Sequence, residues 1–288
     1  MKAIVTGGAG FIGSNVVQLL NKKNYEVVVF DNLSTGFKDN LKNIKNVKLI
    51  EGDIYNKVEL DSAMRGCNIV FHLAANVGNI KSINDPEFDS QINVIGTLNV
   101  LNCARKNKIN KIVYSSSAAI FGEPKQLPIN EEHSLAPDSP YGVSKLAGEL
   151  HCICYNKLYN MKNICLRYFN VFGINQRFDQ YGNVIPIFTS YLLQNNSISI
   201  FGDGEQTRDF VNVKDVANAN ILAAENENLS GVFNIGSGKG ITINYLADMM
   251  LSISKSSSKI KYLPARKGEV LHSLSDITKA KKYLFFEP

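Results

Sequence analysis

Residues 1–31 read MKAIVTGGAGFIGSNVVQLLNKKNYEVVVFD, and this stretch decides the fold of the chain. A short apolar run at residues 3–5 leads into a turn with four glycines and then into apolar residues at helical spacing. A second apolar run, at residues 27–30, ends at Asp31. The succession of strand, glycine-rich turn, helix, strand and acidic residue predicts a dinucleotide-binding unit.

The residue types at this turn predict NAD as the cofactor. Gly7 permits a tight turn, Gly10 lets the backbone approach a pyrophosphate, and Gly13 lets the helix pack against the strand. The first amides of the helix then face the phosphates. Asp31 can accept hydrogen bonds from both hydroxyls of the adenosine ribose, and its charge repels a 2′-phosphate, which favours NAD over NADP. The predicted contacts in this stretch are Gly7, Gly10, Phe11, Ile12, Gly13 and Asp31.

Composition argues against several classes of protein. The 288 residues are 44% hydrophobic and contain no uninterrupted apolar segment of membrane-spanning length, so we expect a globular protein that does not enter a membrane. The formal net charge of +5 comes from scattered lysines, which does not indicate nucleic-acid binding. The sequence begins directly with a strand pattern and has an odd number of cysteines, so we expect a cytoplasmic protein with reduced thiols. The dispersed histidines predict no metal site, and we expect Cys152 and Cys154 to be buried thiols in a helix.

The rest of the chain alternates strand patterns with helix patterns. Strands are predicted at 47–50, 69–75, 111–114 and 232–235, and helices at 58–64, 88–104, 214–224 and 242–251. This alternation predicts the α/β class, with a doubly wound parallel sheet of the Rossmann type and a smaller, discontinuous α/β substrate domain. We predict that residues 1–168, with returning segments near 209–236, bind NAD, and that residues 169–208 and 237–288 mainly bind substrate.

Further cofactor contacts are predicted where these strands end. The polar loop after Asp31 can wrap the adenosine end of the cofactor, and the small residues that end the predicted strand at 69–75 leave room for a dinucleotide. Asp53 can reach the adenine amino group, although a simple turn residue is an equally good interpretation there. The predicted contacts are Asn32, Ser34, Gly36, Asp53, Ile54, Leu73, Ala74 and Ala75.

Tyr141 and Lys145 are the residues whose spacing is most informative about chemistry. Residues four apart lie on one face of a helix, so the ammonium group can stand beside the phenol. A nearby cation favours the phenolate, and we therefore expect the pKa of Tyr141 to be lowered. Ser117, at the end of a predicted strand, can hold the same substrate alcohol. Together with a nicotinamide cofactor, Ser117, Tyr141 and Lys145 predict reversible oxidation of an alcohol by hydride transfer.

These motifs, with the stretches 167–170 (RYFN) and 202–210 (GDGEQTRDF), resemble the extended short-chain dehydrogenase/reductase family, in particular its nucleotide-sugar 4-epimerases. The resemblance runs over nearly the whole chain. It implies that Tyr141 and Lys145 carry the chemistry and bind NAD. It also implies a homodimer in which helices over residues 86–106 and 141–159 pair across the interface. Members of the family usually continue past the position of Pro288 into a final helix.

The resemblance also implies which residues bind a UDP-sugar. Asn170 and Arg208 match positions that contact the diphosphate, and Arg266 matches a second phosphate-binding arginine, although a solvated basic pair with Lys267 is the alternative there. Glu269 matches a residue that holds the uridine ribose. Ser273 falls at a position that limits the size of the C2 substituent of the sugar, and a small residue there admits an N-acetyl group.

Ala118 and Ala119 help to choose among reactions. Related dehydratases carry an Asp-Glu pair directly after the active-site hydroxyl, and methyl groups cannot move protons. We therefore predict an NAD-dependent isomerase that inverts C4 of UDP-glucose and UDP-galactose, and of their N-acetyl forms. The alternatives are another nucleotide-sugar reductase or epimerase on the same scaffold and a non-catalytic protein that senses dinucleotide.

Overall fold

The computed structural model describes residues 1–178, 183–265 and 270–288. In these ranges the strands are β1 (Lys2–Thr6), β2 (Glu26–Asp31), β3 (Val47–Glu51), β4 (Ile69–His72), β5 (Ile112–Ser117), β6 (Ile164–Tyr168), β7 (Asn170–Phe172), β8 (Ile198–Phe201), β9 (Thr207–Asn212), β10 (Gly231–Ile235), β11 (Gly240–Thr242) and β12 (Ile260–Leu263). The α-helices are α1 (Phe11–Lys22), α2 (Lys57–Ala63), α3 (Asn79–Asn84), α4 (Pro86–Ser90), α5 (Thr97–Lys106), α6 (Pro140–Tyr159), α7 (Val184–Leu193), α8 (Val213–Glu225), α9 (Ile243–Ser254) and α10 (Thr278–Leu284).

Seven strands form one parallel sheet in the order β10-β6-β5-β4-β1-β2-β3. The chain winds outward from β1 in one direction through β2 and β3, and then in the other direction through β4, β5 and β6. The order reverses between β1 and β4, and the crevice beyond the carboxyl ends of the strands at such a reversal is where ligands bind in open α/β sheets. The predicted doubly wound fold is confirmed.

Apolar helices cover both faces of this sheet. Successive residues of a strand point to opposite faces, so Ile4 and Val5, both completely buried, belong to different cores. Val5 packs in the core that contains residues of α1, α8 and α10, whereas Ile4 packs in the core that contains residues of α2, α5 and α6. The helices thereby fix the carboxyl edge of the sheet from both sides.

A smaller unit stands beyond that edge. It contains the three-stranded sheet β11-β9-β7 and the two-stranded parallel sheet β12-β8. Helices α7 and α9 cover β8 through a separate apolar core that includes Phe188, Ile198 and Leu246. The boundaries of the two predicted domains stay a prediction.

The helix predicted over residues 88–104 is present and contains one π-helical turn. Asp85 accepts a hydrogen bond from the Phe88 amide (3.0 Å) and Pro86 starts α4, but a π-helical turn at Gln91–Gly96 then separates α4 from α5. Gly96 lies in this turn against Ile54, whose Cδ1 atom would be 2.5 Å from a Cβ at Gly96. The predicted long helix is therefore confirmed, but the π-turn inside it was not predicted, because a π-turn inserts one residue with little change in the apolar spacing.

Two expectations from composition can be compared with the structure. Among the described helices, none combines the length and the apolar character needed to cross a membrane. Cys152 is buried as expected, but Cys154 is exposed. The expectation was wrong for Cys154 because residues two apart in a helix point to nearly opposite sides.

Candidate active site

The turn between β1 and α1 forms a cradle that side chains would fill. Gly7 has a φ angle of +71°, and a Cβ there would lie 2.6 Å from the Ala74 nitrogen. A Cβ at Gly13 would collide with the Gly7 carbonyl oxygen. Gly10 caps α1 without any side-chain hydrogen bond, so the cap leaves the first amides of the helix available to an anion. This cradle fits a pyrophosphate, and Phe11 and Ile12 supply the first amides of the helix.

Asp31 lies at the end of β2 beside this turn. Its carboxylate is buried and accepts hydrogen bonds from the amides of Ala9 and Leu33, both at 2.8 Å. These bonds fix the carboxylate, and each oxygen keeps a lone pair for a ribose hydroxyl. The following loop folds back on the turn, because the Phe37 amide donates to the Ala9 carbonyl (3.0 Å) and Gly36 packs against Ala9.

The other residues predicted to bind the cofactor lie at the same edge of the sheet. The Asn32 side chain donates from Nδ2 to Asp53 Oδ2 (2.8 Å), and its Oδ1 atom accepts from the backbone amide of Ser34 (3.1 Å). Ile54, next to Asp53, is buried. The segment Leu73, Ala74 and Ala75 passes beside Gly7, and the Leu73 amide donates to the Thr6 carbonyl (3.0 Å).

Helix α6 carries Tyr141 and Lys145 to the end of β5, where Ser117 lies. Ser139 caps the helix by accepting a hydrogen bond from the Gly142 amide (3.1 Å). Gly142 lets the first turn of α6 approach the Ala119 carbonyl, which would be 2.5 Å from a Cβ. Farther along α6, Gly148 leaves room for the Tyr114 side chain. The predicted trio is therefore brought together by close packing of α6 on β5.

Burial moves the pKa values of Tyr141 and Lys145 in opposite directions. It raises the pKa of Tyr141 to about 12, although hydrogen bonding with the Ser117 hydroxyl opposes this shift. It lowers the pKa of Lys145 to about 8, with its Nζ atom 4.7 Å from the centre of the Tyr114 ring. The expectation that Lys145 lowers the phenol pKa was wrong for the protein alone, because the loss of hydration outweighs other influences on the phenol.

A buried polar cluster behind these residues was missed by sequence reasoning. Asp89 is completely buried and accepts hydrogen bonds from Ser144 Oγ (2.5 Å), Asn93 Nδ2 (3.1 Å) and Asn76 Nδ2 (3.0 Å). Ser144 lies between Tyr141 and Lys145, so the cluster ties the turn of α6 that carries these two residues to α4 and the π-helical turn. The sequence signal was present, because polar residues interrupt a helix that otherwise reads as apolar.

Three of the residues predicted to bind substrate, Asn170, Arg208 and Ser273, lie in or beside the smaller unit. Asn170 begins β7, which pairs with β9, the strand of Arg208. Arg208 donates hydrogen bonds to the carbonyls of Thr207 (2.9 Å) and Leu271 (3.2 Å). The Ser273 amide donates to the Thr207 carbonyl (3.1 Å), which places Ser273 beside β9. Arg266 and Glu269 lie outside the described residues.

Comparison with known proteins gives a family and close relatives. The model of the NAD dependent epimerase/dehydratase family matches residues 3–236. A putative UDP-glucose 4-epimerase of Methanocaldococcus jannaschii is 43% identical over 280 residues, which cover 96% of this chain and 90% of that protein.

Two solved structures share the whole fold. The UDP-N-acetylglucosamine 4-epimerase from Methanobrevibacter ruminantium M1, in complex with UDP-N-acetylmuramic acid, has a TM-score of 0.96 and 38% identity, covering 100% of this chain and 92% of that one. The UDP-glucose 4-epimerase of Thermotoga maritima, with UDP-glucose, has a TM-score of 0.95 and 40% identity, covering 100% of this chain and 94% of that one.

Proposed function

Because this chain belongs to the NAD dependent epimerase/dehydratase family, we propose that it reversibly inverts C4 of a UDP-hexose with a bound NAD. The observation that carries this proposal is the placement of Ser117, Tyr141 and Lys145 at the same edge of the sheet as the glycine cradle. A base for an alcohol and a site for a nicotinamide cofactor are thereby adjacent. The cradle and the fixed carboxylate of Asp31 fit NAD.

In the proposed mechanism Tyr141 exchanges a proton with the sugar 4-hydroxyl. The Ser117 hydroxyl holds the same oxygen, and Lys145, one helical turn from Tyr141, helps to bind the cofactor. When bound, NAD would supply a hydride acceptor and donor for C4 and a positive charge. For inversion the 4-keto sugar would turn while Arg208 anchors its diphosphate, and Tyr141 would return the proton to the sugar oxygen. No net oxidation results.

Ala118 and Ala119 support epimerisation over elimination of water. They follow Ser117 in a short 3₁₀ turn, and the Ala119 amide donates to the Ser117 Oγ atom (3.2 Å). Their methyl groups provide neither the acid nor the base that dehydration needs in addition to Tyr141. The family description covers both epimerases and dehydratases. Ala118 and Ala119 favour epimerisation between these two reactions.

We assign the substrate contacts by the same reasoning. Arg208 and Asn170 bind the diphosphate. Arg266 is the second arginine that binds a phosphate, and Glu269 binds the uridine ribose. Ser273 leaves room for an N-acetyl group at C2, so both plain and N-acetylated hexoses are substrates. The two solved relatives named above bind one sugar nucleotide of each kind.

A homodimer is proposed on the exposed apolar face of the helices beside the site. Val143, Leu150 and Leu158 of α6 are 55%, 51% and 65% exposed and recur at intervals of seven and eight residues, which keeps them on one side of the helix. Phe88 and Ile95, on α4 and the π-helical turn, add 49% and 41% exposed side chains. A second copy of this chain would cover both sets.

The decisive experiment follows the anomeric protons of UDP-glucose and UDP-N-acetylglucosamine by NMR, each incubated with purified protein without added cofactor. Appearance of the galacto epimers is expected from NAD retained by the protein. If neither sugar changes, even when NAD is supplied, the proposal is wrong. Stoichiometric consumption of added NADH would instead identify a reductase.

A further inference from the structure

A buried histidine joins the cofactor turn to the helices beneath the catalytic residues. Thr6 and His72 end the neighbouring strands β1 and β4 and are register partners where the strand order reverses. The Thr6 Oγ1 atom lies 2.7 Å from His72 Nδ1, and His72 Nε2 lies 3.0 Å from Thr97 Oγ1. All three side chains are at most 1% exposed. The imidazole therefore bridges the end of β1 and the start of α5.

The neighbouring hydrogen bonds fix the direction of every proton in this bridge. The Thr97 hydroxyl donates to the Asn93 carbonyl (2.6 Å), so it accepts from His72 Nε2–H. His72 Nδ1 is then an acceptor, and the Thr6 hydroxyl donates to it. The Ala74 amide in turn donates to Thr6 Oγ1 (3.4 Å). Burial, reinforced by the charge of Lys145, lowers the pKa of His72 to about 3, which keeps the ring in this neutral form.

The chain of hydrogen bonds continues into α6. Asn93, whose carbonyl receives the Thr97 proton, donates from Nδ2 to Ser144 Oγ (3.0 Å). Ser144 donates to Asp89 and also approaches the Tyr141 carbonyl (3.0 Å). We call this connected set the polar chain: Ala74, Thr6, His72, Thr97, Asn93 and Ser144. It begins beside Gly7 and ends in the helical turn that carries Tyr141 and Lys145.

We propose that His72 and Thr97 are positioning residues that couple the cofactor turn to the catalytic turn of α6, an inference that rests on the proposed epimerase function. His72 suits this place because one neutral ring presents an acceptor to Thr6 and a donor to Thr97. If Thr97 loses its hydroxyl, the His72 N–H and the Asn93 carbonyl both lose a partner in a site without water access. The π-helical turn and Thr6 then relax, so the geometry of the base and that of the cradle change together.

The test compares Thr97→Val, which has the same shape without the hydroxyl, with Thr97→Ser, which keeps it. The matched control is Tyr155→Phe, because Tyr155 also links α6 to α5, through a 2.8 Å hydrogen bond to Asn102 outside the polar chain. Each variant is measured for kcat and KM, for the Kd of NAD, and for Tm. Thr97→Val is expected to lower kcat about tenfold with KM unchanged and to raise the Kd of NAD about tenfold. Thr97→Ser restores both, and Tyr155→Phe changes Tm alone.

The same measurements can also overturn the proposed coupling. If Thr97→Val lowers Tm but leaves kcat and the Kd of NAD within about twofold, the hydroxyl is only structural and the proposal is overturned. Should Thr97→Val fail to fold, Thr6→Val at the other end of the polar chain gives the same two outcomes. If the wild type does not epimerise UDP-sugars, the proposed function fails, whereas the Kd of NAD in these variants still decides the coupling.

Discussion

Tyr141 and Lys145 lie one helical turn apart, and burial makes it harder to charge either of them. The pKa of Tyr141 rises to about 12 while that of Lys145 falls to about 8. The phenolate that the chemistry needs is thus disfavoured in the protein alone. A positive charge at the nicotinamide site would favour it, so the base is expected to be activated when the cofactor is in place.

Tyr141→Phe is expected to lower kcat by about 100-fold or more, because the phenylalanine ring fills the same space but cannot take a proton. The Kd of NAD and the Tm are expected to stay close to those of the wild type. The NMR assay measures turnover, and Tyr245→Phe on the exposed side of α9 serves as the control. Undiminished turnover in Tyr141→Phe would remove Tyr141 from the mechanism.

Lys145 also predicts how stability depends on pH. Its pKa is 10.5 in an ordinary environment and about 8 in the folded protein, so between these values the unfolded chain holds a proton that the folded protein has released. The free energy of unfolding of the wild type, relative to Lys145→Met, should therefore rise between pH 8 and 10, by on the order of 2–3 kcal/mol.

Denaturant titrations at several pH values measure this difference. Taking the difference between the two proteins removes the contribution of Lys111, whose pKa burial also lowers to about 8. A difference that stays constant from pH 8 to pH 10 would show that Lys145 is not desolvated.

Part of this site could be predicted from the sequence because it depends on local spacing. Gly7, Gly13 and Asp31 lie within one strand-turn-helix-strand unit, and Tyr141 and Lys145 lie one turn apart on one helix. The structure confirms the doubly wound sheet that this unit predicted, and it brings Ser117 to the same helix. The roles of the individual residues stay predictions until variants are measured.

The features of the site that could not be predicted depend on contacts between distant parts of the chain. Asp89 and Ser144 are 55 residues apart, so no local pattern indicates that one accepts a hydrogen bond from the other. The π-helical turn keeps nearly the same apolar spacing as an α-helix. The direction of the Tyr141 pKa shift was also beyond the sequence, because burial is a property of the packed fold.

A comparison of alanine substitutions at Gly7 and Gly66 separates the effect of backbone strain from that of steric contact. Their φ angles are +71° and +72°, but a Cβ at Gly7 would meet Ala74, whereas one at Gly66 would meet nothing within 4 Å. Gly66→Ala is expected to lower the free energy of unfolding by about 1 kcal/mol, from the φ angle alone. Gly7→Ala is expected to cost more and to abolish tight NAD binding. Denaturant titration and NAD titration measure the two effects, and equal behaviour of the variants would contradict the cradle.

Ser273 is expected to control which sugars are accepted. Its side chain is nearly buried beside β9, so Ser273→Tyr would fill the space that the N-acetyl group needs. We expect kcat/KM for UDP-N-acetylglucosamine to fall at least about tenfold more than that for UDP-glucose. Ser273→Ala, which stays small, should preserve both activities. Equal losses with the two sugars would place the C2 substituent elsewhere.

Leu150→Glu is expected to convert the proposed dimer into a monomer. When two copies meet, a glutamate in the centre of the apolar face of α6 would be buried without a partner for its charge. The free-energy cost of burying that charge is larger than the contribution of the leucine contacts that are lost. Val58→Glu on α2 is the control, because Val58 is 80% exposed but lies outside this face. Light scattering after size exclusion gives the mass of each variant. A monomeric wild type, or a Leu150→Glu protein that remains dimeric, would show that these helices do not form the interface.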